Sequence, residues 1–162
     1  MITALIRIKH GPEALAVTLS ALVPAVAAGL VGDAVILADK EDETLAQVAD
    51  AAGATLIVAQ GVSWHAGAQA ARRDWLLCLD DGDIPQEGWI RVLERFVSLG
   101  GQERGLARLR RQASLRGTLA ALLRRSSVRA GDLVHRRVLM NEVKARAPVH
   151  LSATIGRDPV FG

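Results

Sequence analysis

Residues 75–89 read WLLCLDDGDIPQEGW, an unbroken apolar run that stops at three closely spaced carboxylates. Residues 75–79 show no polar alternation, which is typical of a strand buried on both faces, as the inner strands of parallel sheets are. Parallel sheets bind ligands at the carboxyl ends of their strands. The stretch therefore predicts a ligand-facing strand end at Asp80, Asp81 and Asp83.

The same three acids also indicate a cation site. Three carboxylates within four residues repel one another, and a divalent cation bound together with a phosphorylated ligand would relieve that repulsion. The alternative is an acidic turn that caps the next helix, because an Asp shortly before Pro85 is also ordinary helix-start chemistry. Both interpretations stay open on this segment alone.

Composition predicts one soluble domain with its own core. The chain has 162 residues, half of them apolar, but only 3% aromatic and no Tyr, so Ala, Leu and Val must build the core. The single Cys78 excludes an intramolecular disulfide, and its place in the apolar run predicts a buried, inert thiol in a reducing cytoplasm. Residues 14–32 are uncharged but rich in Ala and Gly, and Met1 is not followed by a cationic leader. We therefore expect neither a membrane span nor a signal peptide.

Charge is divided unevenly along the chain. Residues 1–103 hold 14 acids and 7 bases, a net −7, whereas residues 104–162 hold 3 acids and 13 bases, a net +10. In residues 104–129, arginines alternate with leucines and predict a basic amphipathic element. It could lie on an anionic membrane surface, dock on a partner protein or the chain's own acidic half, or simply be solvated. Nucleic acid is disfavoured because no aromatic platform or helix-turn-helix pattern accompanies the charge.

Short apolar runs alternate with amphipathic stretches through the first hundred residues, which is typical of βαβ units. The pattern predicts strands at 2–8, 34–38, 55–59 and 75–79, and helices at 11–23, 44–52, 64–73 and 85–99. Pro24 is expected to end or kink the first helix. The predicted fold class is α/β, with a mostly parallel sheet flanked by helices.

The common dinucleotide, P-loop and zinc motifs are absent, so a nucleotide would have to be held differently. Two predicted strands end in acids, at Asp39 and at the three acids from Asp80. The segments around them are DAVILADKEDETLAQVADAAGA (33–54) and WHAGAQAARRDWLLCLDDGDIPQEGW (64–89), followed by the weaker AGDLVHRRVL (130–139). With these segments the chain resembles the family 2 glycosyltransferases of the GT-A fold.

The resemblance implies a Rossmann-like GT-A domain over residues 1–162, with a nucleotide-sugar-binding half at 1–103 and a basic acceptor-side half at 104–162. It implies transfer of a sugar from a nucleotide-diphosphate donor, in cell-envelope glycan or glycolipid synthesis. Asp39 would accept hydrogen bonds from the base, and Asp80 would face the ribose and a diphosphate-bound Mn²⁺ or Mg²⁺. Asp81 and His10 are the further predicted nucleotide-sugar contacts, although His10 could be an ordinary loop residue. Asp80 and Asp83 are the predicted metal ligands.

The sequence departs from the family in three features that matter for activity. Gly82 occupies the position of the second acid of the family's DxD motif, so either Asp83 takes over metal binding or the site binds metal poorly. No catalytic base is identifiable, and Asp132, one of the few acids after residue 103, is expected in a surface turn. The chain ends where family members continue, so a second copy or a partner chain could complete the acceptor site. The alternative function is a catalytically degenerate GT-A-like binding or scaffolding protein that uses its arginine-rich surface.

Overall fold

A computed structural model describes residues 1–99, 104–112, 128–144 and 146–161 of the chain. Within these residues, eight strands form one sheet in the order β3-β2-β1-β4-β7-β6-β8-β5. The strands are β1 Ile2–Arg7, β2 Val31–Ala38, β3 Thr55–Val58, β4 Trp75–Asp80, β5 Asp83–Pro85, β6 Leu106–Arg111, β7 Asp132–His135 and β8 Val149–Arg157. The helices are α1 Pro12–Ala27, α2 Glu43–Ala51, α3 Trp64–Ala70, α4 Trp89–Ser98 and α5 Arg136–Leu139, with a 3-10 turn at Pro159–Phe161.

The first four strands in the sheet order, β3-β2-β1-β4, are all parallel. In their register Arg7, at the end of β1, pairs with Leu37 on β2 and with Asp80 on β4. The carboxyl ends of these three strands therefore lie side by side at one edge of the sheet. The predicted α/β class with a parallel core is confirmed.

The other half of the sheet brings the C-terminal part of the chain to the acidic loop. β7 runs antiparallel to β4, and β6 joins β7 to β8. Strand β5 pairs antiparallel with β8, which sets Asp83 directly opposite Arg157. A basic residue from the far end of the chain therefore stands beside an acid from the middle of it.

Strand β4 is buried along its whole length, as the apolar run predicted. Leu77 and Leu79 pack in a core cluster with residues of α1 and α4 on one face. Leu76 and Cys78 pack on the other face, in a cluster with residues of α3. Burial raises the pKa of the Cys78 thiol well above its ordinary value, which keeps it protonated and inert.

Several predicted element boundaries are shifted, two of them by about one helical turn. Helix α1 continues through Pro24 to Ala27. A proline in the last turn removes only one helical hydrogen bond, and the Pro24 carbonyl still accepts from the amide of Ala28 at 3.0 Å. At 85–99, Pro85 belongs to strand β5, and the helix starts only at Trp89 because Gly88 takes a left-handed conformation, φ 84°.

The C-terminal predictions need correction as well. The segment 130–139, which resembles a strand of the family, is strand only over Asp132–His135 before α5 begins. Asp132 is not in a surface turn, because its side chain is fully buried and Arg108 donates to it at 2.6 and 2.8 Å. Strand β8 was not predicted. Most of the predicted basic element at 104–129 lies outside the described residues, and its beginning, Leu106–Arg111, is strand β6.

Among the residues that the structure describes, no helix combines the length and the apolar character needed to cross a bilayer.

Candidate functional site

Asp80 ends strand β4 and is held by basic side chains from strand β1 and the loop after it. Arg7 donates to its Oδ1 through Nε at 3.0 Å and Nη2 at 2.9 Å. Lys9 donates to its Oδ2 at 2.7 Å. The carboxylate is 6% exposed, and a carboxylate so buried is stable as an anion only when it is paired in this way.

Asp81 organises the loop that follows β1. Its Oδ2 accepts backbone N–H bonds from Lys9, His10 and Gly11 at 3.0, 2.7 and 2.9 Å, and its Oδ1 lies 3.0 Å from Nδ1 of His10. Burial raises the pKa of this carboxyl, but the four hydrogen bonds outweigh burial and hold the pKa below its ordinary value. Asp81 therefore stays ionised and fixes the position of His10.

Asp83 is bound by arginines from the C-terminal half of the chain. Arg111 donates to both of its oxygens, from Nη1 at 2.9 Å and Nη2 at 2.7 Å. Arg157 lies 3.3 Å from Oδ1, and the backbone N–H of Asp80 donates to Oδ2 at 2.9 Å. Burial lowers the pKa of Arg111, but its bonds to Asp83 raise it by more, so this guanidinium stays charged.

These contacts build two levels of charge. The side chains of Asp80 and Asp83 are 6% and 0% exposed. Above them lie the more exposed cations, which we call the basic layer: Arg7, Lys9, Arg111 and Arg157, with side chains 26 to 44% exposed. Above Asp80 and Asp83, solvent therefore meets positive charge first.

A pocket of about 500 Å³ opens beside the basic layer, between the loops that follow β1 and β2. Lys9 and His10 line it on one side, and Asp39 and its neighbours up to Asp42 line it on the other. One oxygen of Asp39 accepts from the backbone N–H of Val62 at 3.2 Å, and the residue is exposed. The pocket thus joins two of the predicted contact residues, His10 and Asp39.

Gly82 shapes the acidic loop. Its φ of +81° lies in the left-handed region that favours glycine, and a Cβ there would stand 3.1 Å from Cβ of Phe161. Its carbonyl accepts from the backbone N–H of Asp158. The loop conformation and the contact with the 3-10 turn therefore both favour glycine at the position where the family motif has an acid.

The carboxylates as arranged do not fit a divalent cation. Both oxygens of Asp80 and of Asp83 already accept from Arg or Lys, and a metal at about 2.0–2.6 Å would have to displace those donors. Across the described parts of the chain, no group of three or more Asp, Glu, His or Cys side chains is placed to hold a metal. Metal ligation by Asp80 and Asp83 stays a prediction that this arrangement does not support.

The structure brings His10, Asp80, Asp81 and Asp83 together in one bonded cluster and sets Asp39 across the pocket from His10. Sequence reasoning did not predict the basic layer as a unit, although docking of the 104–129 segment on the chain's own acidic half was one interpretation left open, and Arg111 of that segment binds Asp83. Arg7 and Lys9 follow an apolar run in the first strand, and that strand end was a usable signal. Arg111 and Arg157 carried no comparable signal, because only the sheet pairing brings them to Asp83.

Comparisons with known proteins give structural likeness only. No family model matches the sequence, and no curated protein matches it. Solved structures do match. Glucosyl-3-phosphoglycerate synthase from Mycobacterium tuberculosis in complex with phosphoglyceric acid superposes with a TM-score of 0.63 at 18% identity, and its complex with Mn²⁺, uridine-diphosphate and glucosyl-3-phosphoglycerate with 0.60 at 16%. These matches cover 85% of this chain and 57% of the synthase.

A second neighbour has the same architecture. TarS 1-349 of S. aureus in complex with UDP-GlcNAc superposes with a TM-score of 0.57 at 11% identity, over 88% of this chain and 47% of TarS. Both neighbours are GT-A-type glycosyltransferases. The chain has the GT-A fold. It spans about half the length of these neighbours, and at such low identity the likeness establishes the fold alone.

Proposed function

We propose that this protein transfers a sugar from a nucleotide-diphosphate donor to an acceptor hydroxyl. The observation that carries the proposal is the pocket at the carboxyl ends of β1 and β2, which opens directly beside the basic layer in a GT-A fold. Lys9 belongs to both, since it lines the pocket and donates to Asp80. A ligand with an uncharged ring and a phosphorylated group would suit this arrangement of a pocket next to the basic layer.

The pocket defines a pose for the donor. Its volume, about 500 Å³, lies within the usual range for small-molecule sites. The exposed Asp39 carboxylate would accept hydrogen bonds from the base, and the phosphates would lie toward Lys9 and His10. Asp81 would act as a positioning residue, because its oxygens already bind the loop that carries these two side chains.

The proposed reaction is a simple displacement. The acceptor oxygen forms a bond to the anomeric carbon of the sugar, while the bond from that carbon to the terminal phosphate oxygen breaks. The nucleoside diphosphate leaves with the bonding electron pair, and the acceptor's proton passes to a base that remains to be assigned. Cationic groups near the leaving diphosphate would stabilise the charge that develops on it.

Uridine nucleotides are the first donors to test, because the two neighbouring proteins were solved with uridine-diphosphate-glucose and with UDP-GlcNAc. A cell-envelope glycan or a glycolipid is the acceptor class we propose. Completion of the acceptor site by a second copy or a partner chain also remains a proposal.

The test is calorimetric titration of the full chain with a panel of nucleoside diphosphates and nucleotide sugars, with and without Mn²⁺. We expect one nucleotide to bind, and Asp39→Ala to weaken that binding about tenfold, as the loss of a hydrogen bond to a charged group predicts. Asp50→Ala is the matched control, because Asp50 is an exposed acid on α2 that does not line the pocket. Equal affinity in wild type and Asp39→Ala would refute the assignment of the base site.

A second candidate is a nucleotide-sugar-binding protein that does not catalyse transfer. It is favoured by one observation: Asp80 and Asp83, two of the three acids at the end of β4, are tied to cations and are poor candidates for a catalytic base. Measuring the release of nucleoside diphosphate from a bound donor distinguishes the two proposed functions. Slow hydrolysis or transfer would support the enzyme, whereas tight binding with no release would support the binding protein.

A further inference from the structure

We propose that the basic layer, Arg7, Lys9, Arg111 and Arg157, is an anion site that holds a diphosphate group without a metal ion. The anion site follows from the geometry of these side chains. Its assignment to the diphosphate of a nucleotide donor rests on the proposed function, so the two are tested separately below.

The four cations converge on two neighbouring carboxylates. Asp80 receives Arg7 on one oxygen at 2.9 Å, and its other oxygen lies 2.7 Å from Nζ of Lys9 and 3.6 Å from Nη2 of Arg157. The same Nη2 of Arg157 lies 3.3 Å from Asp83, which also receives Arg111 at 2.7 Å. Arg157 therefore links the two halves of the cluster, and the four positive groups form one continuous patch.

Charge and exposure both favour an anion above this patch. The cluster sets four positive side chains against the two carboxylates of Asp80 and Asp83, a net excess of positive charge. The third acid, Asp81, is satisfied by backbone N–H groups and His10 rather than by the patch. Since the carboxylates are buried and the cations are partly exposed, an approaching anion meets the cations first.

The cations also keep unused donors. An ammonium has three N–H donors and a guanidinium has five. Among the residues that the structure describes, the ammonium of Lys9 has one acceptor, Asp80. The Nε of Arg157 is buried and has no hydrogen-bond partner within the described part of the chain. Phosphate oxygens are strong acceptors for such donors, and guanidinium groups bind them in pairs.

The buried acids then have a supporting role. Asp80 and Asp83 hold the long, flexible cations in place from below, which reduces the side-chain entropy lost when a ligand binds. A divalent metal would instead have to displace Arg7, Lys9 or Arg111 from those acids. We infer that the positive charge that a metal would supply near the leaving diphosphate comes here from the basic layer.

Titration of the full chain with inorganic pyrophosphate in EDTA tests the anion site directly. We expect binding that weakens as salt is added and that Mn²⁺ does not strengthen. Arg157→Gln and Lys9→Gln should each weaken it about tenfold, the effect of losing one charge-assisted hydrogen bond. Arg137→Gln is the matched control: it removes the same charge from an exposed residue paired with Glu142, near the start of β4 rather than its end. Circular dichroism confirms that each variant is folded.

The variant Asp80→Asn separates the anion site from a metal site. It should retain most of the pyrophosphate binding in EDTA, since the cations remain and one opposing charge is removed. Binding that appears only with Mn²⁺ and vanishes in Asp80→Asn would overturn the anion site.

The same titrations, run in parallel with UDP, distinguish failure of this inference from failure of the proposed function. UDP binding that strictly requires Mn²⁺ would overturn the inference and leave the proposed function standing. Pyrophosphate that binds in EDTA as tightly as every nucleotide tested would support the anion site and count against a nucleotide donor. Failure of all of them to bind the folded protein, with or without Mn²⁺, would overturn both.

Discussion

Arg111 and Asp83 form a two-point ion pair, with Nη1 to Oδ1 at 2.9 Å and Nη2 to Oδ2 at 2.7 Å. The residues belong to strands β6 and β5, which are separated in the sheet by β8. The pair therefore fixes the short edge strand to the interior of the sheet. It also places a guanidinium from the C-terminal half of the chain above the acidic loop.

Replacement of Asp83 by Asn is expected to lower the free energy of unfolding by about 2–3 kcal/mol, because a fully buried acceptor of two arginines and of one backbone N–H loses its charge. Urea denaturation measures the change. Glu142→Gln is the matched control, since its pair with Arg137 is exposed and should cost less than about 0.5 kcal/mol. Equal effects of the two substitutions would show that the Asp83 pair does not stabilise the fold.

Asp132→Ala is expected to cost more, about 3–5 kcal/mol, because it removes the fully buried carboxylate that pairs with the guanidinium of Arg108 at 2.6 Å. Replacing both partners, Arg108→Met with Asp132→Leu, should recover part of that loss, because neither charge of this pair is then buried without the other. Thermal or urea unfolding of the three proteins measures this. A double variant as unstable as Asp132→Ala alone would contradict the explanation.

Gly82→Ala should destabilise the protein by more than Gly29→Ala does. Both glycines have positive φ, +81° and +74°, so both substitutions pay the left-handed strain of about 1–2 kcal/mol. Only at Gly82 would the new Cβ meet a neighbour, Phe161, at 3.1 Å, whereas nothing lies within 4 Å at Gly29. The free energies of unfolding of the two variants give the comparison. Equal losses of stability would mean that Phe161 moves away from the new Cβ without an energetic penalty.

The lowered pKa of Asp81 predicts a pH-dependent contribution to stability. A carboxyl whose pKa is depressed in the folded state stabilises that state above its ordinary pKa, about 3.9, and loses the contribution as the pH falls through the folded value. Asp81→Asn should therefore be less stable than wild type near neutral pH by about 1–3 kcal/mol. The gap should narrow below about pH 4. Urea denaturation at a series of pH values measures it, and a gap that stays constant would contradict the assignment.

The parallel half of the fold was predictable from the sequence because its signals are local. Each buried strand is a short apolar run, and the run at 75–79 has the composition of an inner parallel strand. Strand β8 carried a local signal that was overlooked, because its apolar and polar residues alternate from Val149 to Ile155. Strand β5 was missed because Asp83–Pro85 is too short to carry a periodic pattern and its pairing is decided by tertiary contact. Asp132 was misplaced for the same reason, since its partner Arg108 is 24 residues away.

The acidic part of the candidate site could be predicted from the sequence, and the basic part could not. The acids stood out because they interrupt an apolar run, and the structure does gather them with His10 at one edge of the sheet. The basic side chains that form ion pairs with those acids come from β1, from the loop after it and from two distant strands, β6 and β8. Local spacing carries no information about such long-range pairs. The likeness to the DxD pattern therefore predicted a metal site where the structure shows ion pairs.

The most direct test of a donor site at the carboxyl ends of β1 and β2 is nuclear magnetic resonance of the ¹⁵N-labelled full chain during titration with UDP. The donor site predicts that backbone amide shifts concentrate in the two loops that line the pocket, at Lys9 to Gly11 and at Asp39 to Asp42. The pocket beside Leu19, Val26 and Arg72 serves as an internal control, because it lies away from these strand ends and should not respond. Shifts confined to that second pocket, or no shifts at saturating UDP, would contradict the proposed site.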